Sequence, residues 1–70
     1  MIERVLELAR LGYKIEFRKG YLPNTLEINV EHNTYICRTE VSFDAIDLSR
    51  MTAEEYIVQT VNRMVIRCDE

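Results

Sequence analysis

The spacing of apolar residues changes period at Gly12. Before it, Ile2, Val5, Leu6 and Ala9 recur at three and four residues, with Leu8 and Leu11 widening the stripe. That spacing predicts an amphipathic helix over residues 2–11. After it, Tyr13, Ile15 and Phe17 alternate with Lys14, Glu16 and Arg18, the pattern of a half-buried strand. A chain that switches between these periods is neither all-helical nor all-β. Gly12 sits where a left-handed C′ residue would end the helix and fold Tyr13 back onto Leu8.

The period of two then continues. Residues 19–24, with Gly20 and Pro23, break the first strand. Leu26, Ile28 and Val30 alternate with Glu27, Asn29 and Glu31 in a second strand. Tyr35, Cys37, Thr39, Val41 and Phe43 alternate with Ile36, Arg38, Glu40 and Ser42 in a third. A tight turn centred on His32-Asn33 uses the tolerance of Asn for positive φ. It would pair Val30 with Tyr35, Ile28 with Cys37 and Leu26 with Thr39 on the core face. Glu27 would then face Arg38 on the outer side, an opposite-charge pair worth about 0.2–1 kcal/mol. A slip of one residue would turn every apolar side chain outward. Residues 44–50 read as a connector that holds Ala45, Ile46 and Leu48 against the core.

Met51-Thr52-Ala53-Glu54-Glu55-Tyr56 marks the start of a last helix, expected from Ala53 to Arg67. Thr52 is the expected N-cap, Glu55 the reciprocal partner of a capping box, and Met51 with Tyr56 the hydrophobic staple. Ile57, Val61, Met64, Val65 and Cys68 form its buried stripe. The reading is a single α+β domain over residues 1–70, ordered α-β-β-β-α. Its sheet is a three-stranded antiparallel meander, and both helices lie on one face because only one face is apolar.

Charge narrows the function. The net charge is −3, too mild to define a partner class. Residues 1–42 carry six basic and six acidic side chains, whereas residues 43–70 carry three basic and six acidic, among them Asp44, Asp47, Glu54, Glu55, Asp69 and Glu70. No catalytic, cofactor or metal constellation is visible. His32 is the only histidine and falls in a turn. Cys37 and Cys68 match no metal or redox spacing and read as two reduced thiols. With two glycines, Gly12 and Gly20, no phosphate-cradling loop can be built. Charges at Glu3, Arg4, Glu7 and Arg10 interrupt any signal peptide, and no apolar run reaches the roughly 20 residues that span a bilayer. A cytoplasmic, non-enzymatic protein is the expectation.

The order helix, three strands, helix is similar to that of the double-stranded RNA-binding domain. That family meets phosphate with a lysine-rich N-terminus of its second helix. Here Thr52-Ala53-Glu54-Glu55 stands at that place, and its carboxylates would repel RNA. The run Leu8-Ala9-Arg10-Leu11-Gly12-Tyr13-Lys14-Ile15-Glu16-Phe17, followed by a hairpin and an acidic-capped helix, resembles small phage-encoded proteins of Gram-positive bacteria. Among these are anti-CRISPR inhibitors, whose acidic residues occupy a basic nucleic-acid channel of a host nuclease. The resemblance implies an inhibitor acting in the host cytoplasm, with Asp44, Asp47, Glu54 and Glu55 as its nearest counterparts.

The expected function is therefore a protein-binding module for a basic partner surface. The four carboxylates and the exposed apolar residues Tyr21, Leu22, Ile36 and Ile66 are its candidate contacts. Two alternatives remain. One is nucleic-acid binding by an outer sheet face carrying Lys14, Arg18 and Arg38, whose field Glu16, Glu27 and Glu40 nearly cancel. The other is self-association as a homodimer or structural subunit.

Overall fold

A computed structural model describes residues 1–69. Glu70, counted above in the acidic excess, lies outside them, as does the side chain of Asp69. The element order is α1 (Ile2–Arg10), β1 (Lys14–Lys19), β2 (Thr25–His32), β3 (Tyr35–Ser42), α2 (Phe43–Leu48) and α3 (Ala53–Asp69). The strands form one antiparallel sheet in the order β1-β2-β3. This is the expected α+β meander with α1 and α3 on the same face, plus one short helix that the sequence did not reveal.

The end of α1 follows from its glycine. Gly12 takes φ +94°, Gly12 N–H donates to Ala9 O at 3.0 Å and Tyr13 N–H to Leu8 O at 3.0 Å. This is the expected Schellman closure. It delivers Tyr13 into the core beside Leu8. The stripe of α1 departs from expectation. Leu8 is buried and Val5 half-buried, but Ile2 is 72% exposed, Leu6 51%, and Ala9 and Leu11 are also exposed. A three-stranded sheet offers limited apolar area, and α3 already lies over β2 and β3. α1 packs on β1 and meets the flank of α3, and one edge of its stripe is left uncovered.

The hairpin differs by two positions. Val30 pairs with Cys37, Ile28 with Thr39 and Leu26 with Val41, because the turn residues are Asn33 and Thr34 rather than His32 and Asn33. Asn33 takes φ +58° as the first turn residue, and His32 stays in β2. A shift of two keeps the paired side chains of β2 and β3 on their predicted faces, so the core survives the misplaced turn. His32 is therefore not a solvated turn residue. Its ring stacks on Tyr13, with centroids 4.0 Å apart and planes at 18°. Tyr35, expected in the core, is exposed at the start of β3.

The new register places Glu27 directly opposite Glu40, an unfavourable pairing of like charges. Both carboxylates turn away to other partners. Glu27 takes Arg38 Nη1 at 3.2 Å and Asn29 Nδ2 at 3.1 Å, so the predicted Glu27–Arg38 pair forms diagonally. Glu40 Oε1 accepts from the Tyr21 N–H, from Leu22 N–H at 3.2 Å and from Thr25 Oγ1 at 3.3 Å, which ties the β1–β2 loop to β3.

β3 ends at Ser42, whose Oγ accepts from Asp44 N–H at 3.1 Å and so caps α2. Phe43 leaves the strand, and the expected connector is a helix that buries Ile46 and leaves Leu48 83% exposed. Six residues with one buried apolar position are too few for periodicity to register. α3 is as read. Thr52 Oγ1 accepts from Glu55 N–H at 3.1 Å, and Val61, Met64 and Cys68 are buried with Ile57 and Val65 packed beside them. The returning arm of the capping box from Glu55 does not form among the described residues; the neighbouring Glu54 pairs with the Met1 ammonium group.

Candidate functional site

The uncovered edge of α1 lies against the start of α3. Arg4 Nε donates to Asn62 Oδ1 at 2.8 Å, and the Met1 ammonium meets the Glu54 carboxylate. These contacts set the two helices side by side. Between their first turns is a shallow cleft of about 580 Å³ lined by Met1, Ile2, Glu3, Ala53, Glu54 and Ile57. Ile57 and Ala53 give it an apolar wall, and Leu6, one turn from Ile2, extends the apolar strip along α1. Glu3 and Glu54 rim it, and Glu55 stands in the same first turn of α3. Two cations stand by this strip and both are engaged, the Met1 ammonium with Glu54 and Arg4 with Asn62 and with Glu7 at 3.1 Å.

The eight sequence-selected residues are all exposed but do not form one patch. Glu54 belongs to the cleft. Asp44 and Asp47 lie on α2, where Asp44 accepts from Asn24 Nδ2 at 3.3 Å. Among the described residues, no three of the His, Cys, Asp and Glu side chains converge to hold a metal ion. Tyr21, 93% exposed, and Leu22 form the tip of the loop that Glu40 anchors. Ile36 and Ile66 lie on opposite sides of the sheet. The residues that sequence reasoning missed are Ile2 and Leu6, because a helical stripe looks the same whether or not a neighbour covers it.

The outer sheet face carries Lys14, Glu16, Arg18, Glu27, Asn29, Glu31, Ile36 and Arg38. Its cations are paired there. Lys14 and Arg18 both reach Glu16, at 3.1 and 2.7 Å, and Arg38 reaches Glu27. Hydrogen bonds from Lys14 and Arg18 hold the Glu16 carboxyl below its ordinary value. The three ion pairs leave this face with a field of mixed sign.

No helix among the described residues is long and apolar enough to cross a membrane. The architecture is that of a small α+β domain, a β-meander with helices on one face and a cleft between two helix starts. The chain matches no family model, and neither a curated protein nor a solved structure is significantly similar to it.

Proposed function

We propose that this chain is a protein-binding module that receives a basic, apolar segment of a partner protein in the cleft between α1 and α3. The observation that carries this reading is the strip of Ile2 and Leu6, exposed beside Ala53 and Ile57 and rimmed by carboxylates. An apolar strip supplies affinity when desolvated, and an acidic rim selects the sign of the partner and speeds encounter. The nuclease channel implied by the resemblance to phage inhibitors is one partner of that chemistry.

The test is a titration, followed by backbone NMR, with an amphipathic helical peptide that carries leucine on one face and lysine on the other. Shifts are expected at Ile2, Leu6, Ala53 and Ile57. Leu6→Lys should weaken binding by about tenfold or more. Shifts centred elsewhere, or no saturation by about 1 mM peptide, would overturn the assignment. Sedimentation of the chain alone is the companion measurement. A concentration-dependent dimer abolished by Leu6→Lys would reassign the same strip to a second copy. Were a nuclease the partner, the wild-type chain would slow cleavage and a Glu54→Lys/Glu55→Lys variant would not.

A further inference from the structure

Cys37 and Cys68 are 31 positions apart in sequence, yet their Sγ atoms lie 3.0 Å apart. The fold brings them together from β3 and the last turn of α3. The two thiols are not equivalent. Cys68 is 5% exposed and also lies 3.6 Å from Val30 O. Cys37 is half-buried and lines a groove of about 260 Å³ together with Arg38, Thr39, Thr60, Arg63, Met64 and Arg67. Arg38 is held by Glu27, whereas Arg63 and Arg67 have no acidic partner among the described residues. The groove thus sets two guanidinium groups that no described carboxylate engages, and which match carboxylates with paired hydrogen bonds, beside one reachable sulfur with a second sulfur behind it.

We infer that Cys37 and Cys68 form a thiol–disulfide exchange site, and that Arg63 and Arg67 select a small carboxylate-bearing disulfide as its reactant. Cys37, its proton released to solvent, attacks one sulfur of the reactant. A Cys37–sulfur bond forms, the reactant's own disulfide breaks, and the departing thiolate takes a proton from water. Cys68 then attacks Cys37 Sγ, its proton passing to the leaving sulfur. The Cys37–Cys68 bond forms and the second half of the reactant leaves as a thiol. Two protein thiols are oxidised and one disulfide is reduced to two thiols, a balanced two-electron exchange. The product cross-links β3 to α3.

The probes are oxidised glutathione, which carries carboxylates, and 2-hydroxyethyl disulfide, which carries none. Each is incubated with the reduced full chain, followed by alkylation and intact-mass and peptide mapping. With glutathione the wild type is expected to lose two hydrogens and yield a Cys37–Cys68 linked peptide, with no lasting adduct. Cys68→Ser should retain one glutathione on Cys37. The ratio of the glutathione rate to the neutral rate should fall several-fold in Arg63→Gln/Arg67→Gln. Full alkylation of both thiols in the incubated wild type would overturn the exchange site, as would adducts without a cross-link. An unchanged rate ratio in the arginine variant would overturn the selection. The wild-type readout requires no variant to fold and does not depend on the α1–α3 cleft.

Discussion

Gly20 is buried where the β1–β2 loop closes, and its N–H donates to Thr25 O at 2.9 Å. A Cβ there would stand 1.9 Å from Thr25 Oγ1 and 2.8 Å from Thr25 Cβ. Rotation of the threonine relieves the first contact but not the second. Gly20→Ala should destabilise the chain by about 1–3 kcal/mol in denaturant unfolding, the usual effect of forcing extra volume into a filled site. An unchanged midpoint would show that the loop closes differently. Glu16 makes a second prediction at this scale. Its lowered carboxyl means that the folded state favours the ionised form. The contribution is present above the ordinary glutamate value and is lost as pH falls through the lowered one. An NMR titration should find the Glu16 midpoint below the ordinary glutamate value, returning towards it in Lys14→Gln/Arg18→Gln. The group is exposed, so the effect on global stability is small and screened by salt.

At the scale of elements, α1 separates two roles that the sequence could not. Leu8 and Leu6 are both apolar positions of one helix, but Leu8 is 1% exposed and Leu6 lies open. Leu8→Ala should cost about 2–5 kcal/mol, whereas Leu6→Ser should change the unfolding free energy by no more than about 0.5 kcal/mol. Equal losses would place Leu6 in the core and remove the cleft strip. Thr52→Ala should cost about 1 kcal/mol through the lost bond to Glu55 N–H, read from the same unfolding curves. The strands, their inward faces, the Gly12 closure and the Thr52 cap were legible because each depends on neighbours within a few residues. The turn was misplaced because Asn33 alone sets it and His32 resembles a turn residue until Tyr13 is placed beside it. Helix α2 was hidden by its length. The candidate site was least legible: Glu54 was read, but the strip beside it came from the mismatch between one helix stripe and a narrow sheet.

At the scale of the whole molecule, nine buried apolar residues form the described core, and both ends of the chain contribute to it, Leu8 from α1 and Cys68 from α3. A cross-link between Cys37 and Cys68 would therefore restrain the unfolded chain over a long loop. Oxidation should stabilise the fold by about 2–4 kcal/mol and raise the melting temperature by on the order of 10 °C. Calorimetry of reduced and oxidised samples checks this, and a lower melting temperature after oxidation would mean that the link distorts the native packing.

Every strand of the meander is paired with its neighbour in sequence. The sheet can assemble by closing short loops only, and low contact order of this kind favours rapid folding. The long search left over is the return of α3 across β2 and β3, the same span that the two sulfurs bracket. A denatured chain already joined there begins with one long loop closed, so its refolding should outpace that of the reduced chain wherever α3 docking limits the rate.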